Sequence, residues 1–292
     1  MKAKINTTKK LVSSFNKIRL NHVNIKKLKS INKRDAYLNK YLKVIEIEID
    51  ALREKITQLE GEKIRSLLSD KIKNKTTNEN VKKEYALNRL EKKLEVFINK
   101  DNGYFIEVGA NDGLTQSNTY SLELNRGWTG ILVEPIFHKY LECKSNRSSL
   151  NIVINCACVS FEYCAEYIEI YYANLMSIVE SRQNLILNQL EHAQKGEIFI
   201  SKNNESVSKV LSYAQTLDSI LRKNNAPSNI DLISIDVEGM ELEVLKGIDF
   251  NSYTFEIIII ETRSIDIIKK YLNNKGYTFL CKLTIHDYAF SK

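Results

Sequence analysis

The sequence predicts a doubly wound α/β domain built on a mostly parallel, seven-stranded sheet. Short apolar runs such as IDLISIDVEG (230–239) and FEIIIIE (255–261) alternate with amphipathic stretches of helical period. That is the pattern of strands buried on both faces and covered by helices. Five such runs fall between residues 104 and 261, and four of them end in a carboxylate: Glu107, Glu134, Asp236 and Glu261. Packing does not ask for acids there, whereas ligands of open α/β sheets lie beyond the carboxyl ends of the strands.

Taken in order, residues 1–34 hold 11 basic residues and no acidic one. They predict a basic arm over 1–35, either partly ordered by itself or drawn to an anionic surface. From Tyr37 to Leu68 the pattern is helical, with Ile45, Ile49, Leu52, Ile56 and Leu59 spaced 4, 3, 4 and 3 apart. This two-heptad seam suits a short coiled coil through 37–68 that would join copies of the chain, or an intramolecular helical hairpin. KNKTTNEN (73–80) breaks the pattern, and Leu87, Leu90, Leu94 and Phe97 then mark a second helix packed on the body. An α-helical region over 36–100 thus precedes an α/β domain over 101–292.

In that domain YFIEVG (104–109) reads as the first strand and 116–125 as a helix. GWTGILVEP (127–135) is a turn anchored by Trp128 and then the second strand. A helix over 136–146 leads to NIVINCACVS (151–160), the third strand. Residues 161–215 read as irregular, with a hairpin and polar loops. After a helix over 217–223 come the fourth strand (230–239), a helix from MELEVLKGI, the fifth strand (255–261) and a helix over 264–276. YTFLCKL and HDYAFSK close the sheet as an antiparallel edge pair.

Several classes are disfavoured. Residues 101–292 carry 17 basic and 24 acidic residues, so a nucleic-acid acceptor would meet an acidic body. Five cysteines, an odd number, argue against a disulfide framework, and four histidines with no paired CxxC argue against structural zinc. No run of 18 apolar residues and no apolar leader is found, so a cytoplasmic protein is expected, with peripheral membrane association left to the basic arm.

The turn GANDG (109–113) carries the most chemistry. Glu134 lies 25 residues beyond Gly109, room for one helix and one strand, and a carboxylate so placed can accept both hydroxyls of a ribose. The glycine spacing of a pyrophosphate site is absent, and Asp112 would repel phosphates. A nucleoside cofactor without phosphates, S-adenosylmethionine, therefore suits the turn better than a dinucleotide. The alternative makes Asp112 and Glu134 solvent-facing caps.

EVGANDG (107–113), SNTYSLE (117–123), GWTGILVEP (127–135), TLDSIL (216–221) and DLISIDVEGMELEVLKGIDF (231–250) resemble the FkbM family of S-adenosylmethionine-dependent methyltransferases, over residues 104–290. The resemblance implies a Rossmann-like class I methyltransferase fold and O-methylation, with a saccharide or glycoconjugate as acceptor. It implies that Glu107, Gly109, Ala110, Asn111, Asp112 and Gly113 wrap the methionine part of the cofactor. Glu134 would hold the ribose, with Asn155 and Ala157 flanking the adenine. Asp236 would lie beside the transferring methyl group, and Glu238 and Glu261 near the acceptor. Many relatives carry Glu-His where this chain has Glu261-Thr262; if a histidine is the base there, this chain must use another group.

Methyl transfer to an alcohol is an in-line displacement that needs orientation and proton removal. Asp236 is the leading base, with Glu238 or Glu261 as alternates whose burial would raise their basicity. A divalent cation, magnesium or manganese, bridging Asp236, Glu261 and a sugar diol is a second way to stabilise the alkoxide. Glu238 and Glu241 also read as solvent-facing residues at a helix N-terminus. Tyr171, Tyr172, Asn174, Arg182 and His192 fall in the irregular segment, where acceptor contacts are expected. His286 and Asp287 read first as a turn. Two further functions stay open: a ribose methyltransferase that uses the basic arm on nucleic acid, and an inactive coiled-coil scaffold with a degenerate domain.

Overall fold

The computed structural model describes residues 85–86, 90–98, 100–201 and 205–292. The basic arm, the heptad seam and the linker at 73–80 lie outside them. In chain order the elements are α1 (Leu90–Leu94), β1 (Tyr104–Val108), α2 (Tyr120–Arg126), β2 (Thr129–Val133), α3 (Phe137–Asn146), β3 (Ile152–Ile154), β4 (Ala157–Val159), β5 (Tyr167–Tyr172) and β6 (Ile178–Val179). They continue with α4 (Gln189–Lys195), β7 (Ser208–Thr216), α5 (Leu217–Lys223), β8 (Asn229–Ile235), α6 (Glu241–Lys246), β9 (Thr254–Glu261), α7 (Ile265–Asn274), β10 (Thr278–Lys282) and β11 (Asp287–Ser291).

Seven strands form one sheet in the order β10-β11-β9-β8-β1-β2-β3. β1 pairs in parallel with β2 and β8, as do β2 with β3 and β8 with β9; β11 runs antiparallel to both its neighbours. Alternation along each strand fills two layers. Ile106, Val108, Ile233, Ile235, Ile258 and Ile260 face one side, with α5, α6 and α7 residues Leu221, Val244 and Leu272. Phe105, Leu132, Leu232, Ile257 and Ile259 face the other, where Leu90, Leu94, Leu122 and Trp128 cover them. Each fully buried aliphatic side chain contributes about 1.5–3 kcal/mol, so the apolar runs at 104–108, 229–235 and 254–261 are the centre of the fold. Trp128 anchors its turn, as expected: the ring is buried against Gly103 and its Nε1–H donates to the Lys100 carbonyl at 2.9 Å.

Two expectations are corrected. The third strand is two: β3 pairs with β2, while β4 pairs with β7 in a second sheet of order β4-β7-β5-β6. The break falls at Asn155, whose side-chain amide donates to the Glu134 and Pro135 carbonyls at 2.8 and 3.1 Å and takes the chain out of the first ladder. Residues 161–215 are correspondingly more regular than expected. β5 and β7 pair antiparallel over six residues, and Ile168, Ile170 and Tyr172 bury alternate positions of β5.

Candidate active site

Strand order reverses between β1 and β8, and the chain leaves both strands into tight turns. The Asp236 N–H donates to the Val108 carbonyl at 3.0 Å, and the Gly109 N–H to the Val133 carbonyl at 3.0 Å. Gly109 has φ +90, and a Cβ there would overlap the Asp236 carbonyl oxygen, so this position admits glycine only. Beside this crossing lies a cavity of about 280 Å³.

One wall is the first half of the expected turn. Gly109, Ala110, Asn111 and Glu134 line it. Asn111 takes a left-handed conformation (φ 47), and its N–H donates to Glu134 Oε2 at 2.7 Å. Glu134 Oε1 accepts the Ile136 N–H at 2.8 Å, just ahead of α3. Burial pushes the Glu134 carboxyl up to about 7, against the pull of these two N–H groups and of Lys139. Glu134 is therefore no solvent-facing cap; it is 5% exposed.

The second half of the turn faces elsewhere. Asp112 Oδ1 accepts the N–H groups of Leu114 and Thr115 at 2.9 and 2.7 Å, and Oδ2 accepts the Thr115 hydroxyl at 2.7 Å. Burial alone would push its carboxyl up, but these bonds and Lys139 hold it below the usual value. Gly113 (φ +78) is required by packing, since a Cβ would stand 2.9 Å from Cys143 Sγ and from Arg147 Cγ. Neither residue lines the cavity.

Glu107 borders the cavity, yet its carboxylate is committed to the layer beneath. It accepts from the hydroxyls of Ser117 (3.0 Å) and Thr119 (2.5 Å), the Asn118 N–H (3.1 Å) and Arg147 Nη1 (3.2 Å). Strand alternation explains this, because Glu107 shares the side of β1 that Phe105 presents to α2 and α3. It braces the 113–119 segment and is not free to wrap a ligand.

Ala157 lines the far wall with Cys156, Cys158 and Ile170, and Asn174, Met176 and Phe199 reach in from the segment around the second sheet. Asn174 Oδ1 accepts Asn111 Nδ2 at 3.1 Å, joining that segment to the glycine turn. Asn155 does not line the cavity, because its amide is spent on the turn after β2.

The opposite wall is acidic. Asp236, Glu238 and Glu261 all line it, with Arg263 at its exposed margin. Asp236 and Glu261 hydrogen-bond through their side chains. Burial, and then the neighbouring charges of Glu261, Glu238, Glu241 and Asp287, push the Asp236 carboxyl far above its ordinary value. Burial first, then Asp287 and Glu238, push Glu261 up to about 7. Each carboxyl therefore gives up its proton less readily than a solvated acid. Glu238, left-handed at φ 48, has Oε2 3.0 Å from His192 Nε2, and its carbonyl accepts Asn184 Nδ2 at 3.2 Å. Helix α4 and the loop before it therefore clamp the Asp-Val-Glu-Gly turn.

Glu241 is not at the surface. It is 1% exposed, accepts the Gly239 N–H at 2.6 Å and the Thr262 hydroxyl at 3.3 Å, and burial pushes it up to about 7. His286 lies in the turn before β11 and Asp287 opens that strand, with the Thr284 hydroxyl bonded to Asp287 and the His286 carbonyl accepting the Thr262 N–H at 2.9 Å. Among the described residues no group of three or more His, Cys, Asp or Glu side chains is arranged to hold a metal ion. Asp236 and Glu261 alone are an incomplete ligand set, so the bridging ion expected from the sequence has no assembled site among these residues.

Sequence reasoning misses Arg147, Lys139 and Arg263. Only Arg263 has a local signal, since it stands two residues beyond the fifth strand end. Arg147 lies at the end of α3 and Lys139 in its first turn, and both read there as surface cations.

No curated protein matches the chain. Among solved structures it is similar to the human methyltransferase 10 domain containing protein (14% identity, 70% of this chain and 79% of that one, TM-score 0.37). It is also similar to precorrin-6y C5,15-methyltransferase from Geobacter metallireducens (10%, 70% and 87%, 0.35). A third is the N-terminal domain of human METTL16 in complex with SAH (12%, 69% and 65%, 0.34). A family model, the methyltransferase FkbM domain, matches residues 107–279, well over half of the chain. The chain belongs to the FkbM family of S-adenosylmethionine-dependent methyltransferases.

Proposed function

We propose that the protein transfers the methyl group of S-adenosylmethionine to a hydroxyl of a sugar in a glycan or glycoconjugate. The observation that carries this reading is the two-sided cavity at the sheet's switch point. Gly109, Asn111 and Glu134 form one wall and the hydrogen-bonded Asp236 and Glu261 the other. Glu134 keeps lone pairs for a ribose diol while its two backbone bonds hold it in place. Ala157, Ile170 and the backbone at 109–111 line the cavity; the first two would offer apolar surface to the adenine, and the last would hold the methionine portion.

The cofactor, when bound, supplies an electrophilic methyl group. The chain's own residues do the rest. A carboxylate of the Asp236–Glu261 pair would accept the proton of the acceptor hydroxyl. A raised carboxyl is the better base for so weak an acid. Glu238, fixed by His192 and Asn184, orients neighbouring hydroxyls of the acceptor.

Methyl-labelled S-adenosylmethionine, incubated with the protein and a panel of oligosaccharides, tests this reading. Label in a sugar methyl ether, lost in Asp236→Asn, is expected. Label in RNA, with none in any saccharide, would overturn it.

A further inference from the structure

Two asparagines with left-handed backbone meet at the cavity. Asn111 (φ 47) belongs to the turn after β1, and Asn174 (φ 54) opens the 3₁₀ turn Asn174–Met176 just beyond β5. Asparagine is among the side chains that tolerate this conformation. Backbone conformation accounts for an asparagine at each place, but not for what the two side chains then do. They stand 63 positions apart in the chain, yet Asn111 Nδ2 donates to Asn174 Oδ1 at 3.1 Å, and both residues line the cavity.

Each partner is fixed from behind. Asn111 Oδ1 accepts the Asp112 N–H at 2.7 Å, which orients the amide, while the Asn111 backbone N–H donates to Glu134 Oε2 at 2.7 Å. On the other side, the Ser177 hydroxyl accepts the Ala173 N–H at 3.0 Å and donates to the Asn174 carbonyl at 2.7 Å. Ala173, Ile178 and Ala193 are fully buried together, with Met176 packed against them, so the 3₁₀ turn is seated on β6 and α4. Asn174 Nδ2 also reaches the Phe199 carbonyl at 3.4 Å. A chain of polar contacts thus runs from this anchored turn through Asn174 and Asn111 to Glu134.

We propose that Asn174 is a positioning residue of the cofactor site: its amide fixes Asn111, whose N–H in turn holds Glu134 where it accepts the ribose hydroxyls. This rests on the assignment of Glu134 to the ribose. It places Asn174 on the cofactor side of the cavity, although its segment reads in the sequence as a source of acceptor contacts. Without the contact, only local bonds hold the left-handed turn, and ordering it on binding lowers affinity.

S-adenosylhomocysteine and its 2′-deoxy analogue, titrated calorimetrically into the full chain, are the probes. Asn174→Gly keeps the left-handed backbone accessible and removes only the amide. It should bind S-adenosylhomocysteine about fivefold more weakly, the worth of one partly buried hydrogen bond. Its affinity for the 2′-deoxy analogue should stay close to wild type, because the effect passes through the grip of Glu134 on the diol. Asn111→Gly breaks the same contact from its other end and should weaken binding of S-adenosylhomocysteine equally, which keeps the test open should the first variant not fold. In the double variant the two losses should not add. Wild-type affinity for S-adenosylhomocysteine in the folded single variants, equal losses for the two ligands, or additive losses would overturn the proposal and leave the cofactor site standing. No binding of either ligand to the folded wild type would overturn the cofactor site itself.

Discussion

Replacing Arg147 by methionine should be among the most damaging single changes outside the cavity. Its guanidinium is fully buried and meets Glu107 at 3.2 Å and Glu123 at 2.5 Å. It also donates to the Thr119 hydroxyl at 2.9 Å and the Gly113 carbonyl at 3.2 Å. It lies 5.2 Å from the Phe105 ring centre and 5.3 Å from that of Tyr120. Methionine fills much of the volume but strands the Glu107 carboxylate, which is 6% exposed, without a counter-charge. Removing one partner of a buried pair costs about 3–5 kcal/mol. For a domain of this size each kcal/mol lowers the melting temperature by about 2–4 °C, so a fall of about 6–20 °C is expected. Thermal denaturation followed by circular dichroism reads this directly. The exposed Lys195–Glu191 pair, 3.0 Å apart, is the control: Lys195→Met should leave the melting temperature unchanged. Affinity for S-adenosylhomocysteine should fall as well, because Arg147 ties the 113–119 segment down. A loss below about 1 kcal/mol would refute the reasoning, since Glu107 would then be sustained by its hydroxyl and N–H donors alone.

Gly109→Ala should abolish cofactor binding, because the added methyl overlaps the Asp236 carbonyl at the floor of the cavity. Gly113→Ala should lower stability by about 1–3 kcal/mol through backbone strain while the folded fraction still binds; equal affinities for the two variants would contradict the division of the turn. Glu241 carries a carboxyl raised to about 7 from an ordinary 4.5, so the folded state holds its proton more tightly than the unfolded chain. Its contribution is full below about 4.5 and is lost as pH rises through about 7, at about 1.4 kcal/mol per pH unit. Urea denaturation should therefore find Glu241→Gln more stable than wild type above neutrality, with the advantage gone in mild acid; an advantage independent of pH would refute this.

Much of this arrangement is legible in the sequence. Runs such as EIIIIE admit a central strand and little else, and their spacing delivers the sheet order's raw material. The strand-end rule places Glu134, Asp236 and Glu261 correctly around one cavity, because strand ends converge whatever the loops do. It fails for Asp112 and Gly113, since a five-residue turn presents its two halves to different partners and spacing cannot say which half meets the ligand. Asn155 shows a second limit. In NIVINCACVS two apolar runs flank Asn155, and a single polar residue between them does not reveal that the chain leaves one ladder for another there. By contrast, the alternation in YIEIYY is a strand signal that the residues themselves carry, in a segment otherwise read as irregular. Lys139, Arg147 and Glu241 are illegible for a simpler reason: their burial is imposed by residues far away in sequence, and locally each reads as a surface charge on a helix.

Glu134 is the proposed ribose anchor of the cofactor. Calorimetric titration of S-adenosylhomocysteine into the wild type and Glu134→Ala tests it most directly. Micromolar-range binding by the wild type, and at least about tenfold weaker binding by a variant that still melts cooperatively, are expected from the loss of two hydrogen bonds to a charged group. Equal affinities in the two proteins, or no binding by the folded wild type, would contradict it.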